Sequence, residues 1–198
     1  SGHTPHNRLL TFAAKPAPLQ VEPLVVNLWP DGSPNNPLDS ARPRLEIFLP
    51  FNREYPAPAT IIIFPGGGYA GLSPYERLQA EFFRGLGYAA VVTNYRVLPN
   101  HYPAAYADAA RAIRLVRNRA EEWRIPGDHL ALLGGSAGGH LAALLATQPD
   151  LYHDPSDDLV GTVSARPDRL ILLYPLIMAS GPYTHVSIER LLGPDASD

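Results

Sequence analysis

The sequence predicts an α/β domain with a mostly parallel sheet and helices on both faces, and three observations carry that expectation. TIIIF at 60–64 is a β-branched run with no polar face, as a strand buried on both sides would have. Between residues 60 and 174 short apolar runs alternate with helical patterns of 10 to 20 residues, the signature of βαβ units. A chain of 198 residues, 45% hydrophobic and 18% charged, is long and apolar enough for one core.

The elements follow in order. Residues 1–43 are dense in breakers (Pro16, Pro18, Pro23, Pro30, Gly32, Pro34, Pro37) and read as an extended arm with one strand near Val21 to Leu28. A single domain is expected from 44 to 198. RLEIFLP at 44–50 alternates like an edge strand, a loop fills 50–58, and TIIIF is the first buried strand. A helix is predicted over 75–85, a strand over 89–95 and a helix over 104–123. In that helix Tyr106, Ala109, Ile113, Val116, Ala120 and Trp123 form an apolar stripe, with Arg111, Arg114 and Arg117 off it. A strand at 129–133, a helix at 138–147 and a strand at 170–174 complete the pattern. There are no internal repeats.

Composition removes several functions. A formal net charge of -3 leaves no electrostatic footprint for nucleic acid. The longest apolar runs fall far below the roughly 20 residues of a membrane-spanning helix, so no membrane partner is expected. With no cysteine there is no disulfide framework, thiolate zinc site, iron–sulfur cluster or cysteine nucleophile. His3 and His6 with His101 do not make a metal-ligand spacing, so no metal and no cofactor is expected.

The chemistry concentrates in GGSAGG at 134–139, which contains G-x-S-x-G as Gly134, Gly135, Ser136, Ala137 and Gly138. It lies between a β-rich run and an apolar helix. A sharp strand-to-helix turn there holds one residue in a strained conformation, so its flanks must lack side chains. Ser136 is then presented above the sheet, and the Ala137 amide at the helix start is a natural first donor to a developing oxyanion.

A second motif agrees with the first. Directly after TIIIF come Pro65, Gly66, Gly67, Gly68 and Tyr69. Consecutive glycines at the carboxyl end of a buried strand let backbone N–H groups approach a ligand, as further oxyanion donors in an acyl-transfer enzyme. A flexible turn or a phosphate cradle is the other reading. No G-x-x-x-x-G-K-[ST] pattern exists and Lys15 is the only lysine, which excludes a P-loop. A dinucleotide fingerprint fails as well, because GGGYAG at 66–71 is not followed by a helix start with an acidic partner at the right distance.

Taken together, PGGGY, NYRVLP at 94–99, YPAAYADAARAIRLVR at 102–117, GGSAGGHLAALLA at 134–146 and RPDRLILLYPLI at 166–177 resemble the α/β-hydrolase fold. Within it the chain resembles hormone-sensitive-lipase-like esterases, above all the acetylxylan-esterase-like and feruloyl-esterase-like carbohydrate esterases. The similarity covers about residues 25–198. It implies Ser136 as nucleophile and Gly67, Gly68 and the Ala137 amide as the oxyanion hole; Tyr69, placed beside that loop, is expected to line the acyl pocket. It also implies a small-molecule or carbohydrate ester as substrate, with short acyl groups such as acetyl, and a secreted or periplasmic setting. Pro65 stands where many relatives carry His, a variant familiar in the carbohydrate-esterase branch.

In this fold the triad acid and histidine follow the nucleophile in the chain. The sequence ends about two dozen residues past LILLY, so it is expected to lack the last two strands with the usual acid and base. The histidines after Ser136 are His140, His153 and His185, and the acids are Asp154, Asp157, Asp158, Asp168, Glu189 and Asp195. His140 reads as a packing and hydrogen-bonding residue, His153 as part of a solvated loop, and His185 as the one histidine with acids before it in chain order. Arg96 and Asp108 are expected to pair, and Trp29 and Trp123 to anchor packing. The alternative to a working esterase is a catalytically impaired module that binds carbohydrate or forms a homo-oligomer through an exposed sheet edge.

Overall fold

Six strands hydrogen-bond into one sheet around TIIIF. The structure, a computed structural model, describes residues 21–34, 42–156 and 158–194. In chain order the elements are β1 (Leu24–Asn27), β2 (Arg44–Phe48), β3 (Thr60–Phe64), α1 (Glu76–Gly85), β4 (Ala89–Asn94), α2 (Ala104–Trp123), β5 (Leu130–Gly135), α3 (Ala137–Thr147), β6 (Arg169–Leu173) and α4 (Val186–Leu192). The sheet order is β1-β2-β4-β3-β5-β6. β4, β3, β5 and β6 run parallel, and β1 and β2 join antiparallel at one side.

Every residue of β3 is buried. Successive side chains of a strand point to opposite faces, so Ile62 and Phe64 enter one core and Ile61 and Ile63 the other. The first core packs under α2 and α3, and the second lies beneath α1. Removing each isoleucine from water contributes about 1.5–3 kcal/mol, which is why this strand tolerates no polar face. Among the described residues no helix is long and apolar enough to cross a membrane.

Two expectations need correction. RLEIF is an interior strand, with β1 on its outer side and β4 on its inner side. Its Glu46 is buried and faces Arg77 at 3.6 Å, so the polar residue that imitates an edge pattern is a partnered charge. In α2, Arg111 and Arg114 lie off the apolar stripe and yet are buried. Arg111 reaches Asp158 at 2.6 Å, Asp154 at 3.3 Å and the Leu28 carbonyl at 3.0 Å, while its guanidinium lies over the Trp29 ring. Buried charge is tolerated where it is paired and hydrogen-bonded in this way.

The expected Arg96–Asp108 pair forms, at 2.9 Å, and Asp108 also accepts from the Trp29 indole N–H at 2.8 Å. Burial pushes the Asp108 carboxyl up from its usual range while these donors hold it down. Trp29 and Trp123 are both packed into the core. His3, His6, Asp157 and Asp195 lie outside the described residues, as does most of the 1–43 arm.

Candidate active site

β3 and β5 pair in register with Phe64 opposite Gly134, so the segments that leave them start at the same level of the sheet. From β5 the chain turns at once into α3 through Ser136, whose φ of 53° and ψ of -122° lie in a region that side-chain-bearing residues rarely occupy. The Ser136 amide donates to the Leu173 carbonyl at 3.1 Å, and its own carbonyl accepts from the His140 and Leu176 amides at 3.0 and 3.2 Å. These bonds hold the turn against its strain.

Glycine is required around the turn by space. A Cβ on Gly138 would stand 2.0 Å from the Phe64 carbonyl oxygen, and one on Gly134 2.3 Å from the Gly138 oxygen. α3 is thereby pressed against the end of β3.

The 65–69 segment makes the other wall. A Cβ on Gly66 would lie 3.5 Å from the Ser136 Cβ, so this loop runs beside the turn. Gly67 and Gly68 adopt φ of 132° and 62°. The loop is tied down on every side: the Gly66 amide donates to Glu76 Oε1 at 3.2 Å, the Ser73 amide to the Gly66 carbonyl at 2.9 Å, the Leu98 amide to the Tyr69 carbonyl at 2.9 Å, and the Tyr95 hydroxyl to the Pro65 carbonyl. Among the described residues the Gly67 and Gly68 amides donate to nothing. The Ala137 amide opens α3, where a helix offers no internal acceptor. A serine on a strained crest flanked by unpaired backbone donors is equipped to attack an acyl carbonyl and hold the oxyanion that results.

Tyr69 differs in placement from the acyl-pocket lining expected of its position beside the glycine loop. With a φ of 57° it turns its ring inward, where it is 2% exposed, packs on Tyr95 and places its hydroxyl 2.8 Å from His140 Nδ1. Burial raises the Tyr69 hydroxyl well above its ordinary range and lowers His140. The contact fits neutral partners.

The histidines are placed as follows. His140 is engaged with Tyr69. His153 is exposed in the segment after α3. His185 caps α4, its Nδ1 accepting from the Ser187 amide at 3.2 Å and lying 2.7 Å from the Ser187 hydroxyl. Among the described residues no histidine ring is hydrogen-bonded to Ser136. Asp154 and Asp158 belong to the Arg111 cluster, and Asp168 accepts from Arg117 and the Leu130 amide. No group of three or more His, Asp or Glu among the described residues could hold a metal.

α4 and its packing on the glycine loop escape the sequence reading. The seven-residue segment VSIERLL has too few turns for a periodic signal, and the histidine that caps it is not one of the common capping residues.

With this geometry in place, comparison with known proteins is informative. Residues 45–163 match the BD-FAE family model. Over 145 residues the chain is 35% identical to endo-1,4-beta-xylanase B of Butyrivibrio fibrisolvens, covering 70% of this chain and 22% of that protein. It is 31% identical over 149 residues to an acetylxylan esterase of Xylanibacter ruminicola, covering 74% of this chain and 28% of that one. Among solved structures, the acetyl ester-xyloside bifunctional hydrolase from Caldicellulosiruptor lactoaceticus superposes with a TM-score of 0.80 at 35% identity, over 89% of this chain and 65% of that one. The chain thus spans less than a third of these two curated relatives and about two thirds of the solved hydrolase.

Proposed function

Because the chain belongs to the BD-FAE family, an α/β-hydrolase family, we propose that it carries the nucleophile and oxyanion hole of a serine carboxylic-ester hydrolase acting on short acyl esters, acetylated carbohydrates in particular. The observation that carries this reading is the strained crest at Ser136 beside the unpaired amides of Gly67 and Gly68.

Ser136 Oγ attacks the ester carbonyl and gives its proton to a general base, without which a serine hydroxyl is a weak nucleophile. The carbonyl oxygen becomes an oxyanion held by the Gly67, Gly68 and Ala137 N–H groups, each such donor contributing about 3–4 kcal/mol to the transition state. The C–O bond to the alcohol breaks, the alcohol leaves with a proton, and water hydrolyses the acyl group from Ser136. Among the described residues neither the His140 ring nor the His185 ring is hydrogen-bonded to Ser136, and His185 Nδ1 accepts from the Ser187 amide, which places the proton of a neutral ring on Nε2 and leaves no lone pair there to act as the base.

The acetyl preference is supported by the acetylxylan esterase and acetyl ester-xyloside hydrolase among the relatives. The same kinship favours a secreted or periplasmic setting, where a polymeric substrate is met, and cell fractionation checks it. The outer side of β6, which bears half-exposed Leu170 and Ile171, suits pairing with a second copy. Sedimentation over a range of concentrations tests that pairing.

The deciding experiment is aryl acetate hydrolysis by the purified chain beside Ser136→Ala, His140→Ala, His153→Ala and His185→Ala. Turnover that requires Ser136 supports the reading, and equal rates for the chain and Ser136→Ala refute it.

A further inference from the structure

α4 presses on the same loop whose amides flank Ser136. The point of contact is Gly68: a Cβ there would stand 3.0 Å from both Arg190 Nη1 and Ser187 Oγ. Arg190 Nη1 donates to the Gly68 carbonyl at a long 3.4 Å. The helix beneath this guanidinium is firmly seated. Ser187, Ile188 and Leu191 are buried. The Leu191 carbonyl accepts from the Tyr102 amide at 2.6 Å, and His101 Nδ1 lies 2.7 Å from the Arg190 carbonyl.

Among the described residues this arginine has no anionic partner. Arg77, Arg96, Arg111 and Arg117 each have a carboxylate within ion-pair distance, whereas Arg190 has none among the described residues. A guanidinium carries five N–H donors in a rigid fork, and the Gly68 carbonyl takes only one. Arg190 is half-buried, so its remaining donors are open to a ligand while its charge is less screened than that of a fully exposed arginine.

We propose that Arg190 is a substrate-recognition residue that binds a carboxylate carried by the ester substrate near the scissile acyl group. The inference rests on the ester-hydrolase reading above and narrows it to acylated sugars that bear a uronic-acid carboxylate. The fork of a guanidinium matches the two oxygens of a carboxylate, a fit a lysine ammonium does not reproduce. Through its bond to Gly68, binding there is felt at the loop that holds the oxyanion.

The test compares methyl glucuronoside with methyl glucoside as ligands of the full chain, followed by ligand-observed NMR. These probes differ in the carboxylate and need no turnover. The expected result is about tenfold tighter binding of the glucuronoside, the size of one charge-assisted hydrogen bond. The preference shrinks in 1 M salt, where screening acts over only about 3 Å. Arg190→Gln abolishes the preference, Arg190→Lys keeps part of it, and Arg166→Gln, at an exposed arginine, leaves it intact. Circular dichroism of each variant separates lost recognition from lost fold. Equal binding of the two glycosides, no detectable binding of the glucuronoside, or a preference that survives Arg190→Gln overturns the proposal. Should the preference hold while aryl acetate hydrolysis proves independent of Ser136, the hydrolase reading fails and the carboxylate site stands.

Discussion

The hydroxyl of Tyr69 lies 2.8 Å from Nδ1 of His140 and so joins the glycine loop after β3 to α3, one turn beyond Ser136. The residue that follows Gly67 and Gly68 is thereby fixed to the helix that begins directly after Ser136. Neither partner is free to move without disturbing the spacing between the glycine loop and Ser136.

Tyr69→Phe keeps the buried ring and removes the tie. It leaves Nδ1 of the half-buried His140 without its partner, which costs about 1 kcal/mol. Chemical denaturation is expected to show that loss, and aryl acetate kinetics a fall in kcat with KM little changed. A fall confined to KM contradicts the assignment.

Ser136→Gly is expected to abolish turnover and to raise stability. A non-glycine residue at a φ of 53° stores about 1–3 kcal/mol of strain, which glycine relieves at an entropic cost of about 0.4–1 kcal/mol. The midpoint of denaturant unfolding therefore moves up by the equivalent of about 1 kcal/mol. A downward move means that the turn is not strained.

Gly138→Ala is expected to fail structurally. Its Cβ would stand 2.0 Å from the Phe64 carbonyl oxygen, a backbone atom that cannot yield without separating α3 from β3. A loss above about 4 kcal/mol, or insoluble expression, is the expected outcome. By contrast a Cβ on Gly71 meets nothing within 4 Å, so Gly71→Ala should express and unfold like the parent chain.

Acid should release the Arg111 cluster. The hydrogen bond from Arg111 is the largest influence holding the Asp158 carboxyl at about 2, below its ordinary 3.8. A carboxyl held lower in the folded state lends stability above its unfolded value and loses it as pH falls from about 4 to about 2. Because the Asp158 side chain is 38% exposed, solvent screening limits the contribution to about 1 kcal/mol. Asp158→Asn should remove that part of the slope in urea unfolding between pH 5 and 2. Identical slopes for the variant and parent chain refute the linkage.

Much of this arrangement is legible in the amino-acid sequence. TIIIF, the 104–123 helix and the turn at Ser136 carry strong periodic or steric signals, and each forms within one or two residues of its expected bounds. What stayed hidden depends on long-range partners. Glu46 looks like a solvent-facing residue until Arg77 is brought beside it, and Arg111 looks exposed until Asp154 and Asp158 arrive from more than forty residues away. Tyr69 reads as a pocket residue because its position in the chain says nothing about which way a left-handed backbone turns its ring. The contact between α4 and Gly68 joins residues 122 apart, and no local pattern announces it.

The pairing of β3 with β5 has a consequence for how the site comes into being. Ile62 lies against Leu132, so the glycine loop and the serine turn are brought together across some seventy intervening residues, which include α1, β4 and α2. Contacts of such long range close slowly because the entropy of the intervening loop must be overcome first. A refolding chain is therefore expected to regain helical signal before Ser136 meets the glycine loop, and reactivity at that serine should return late.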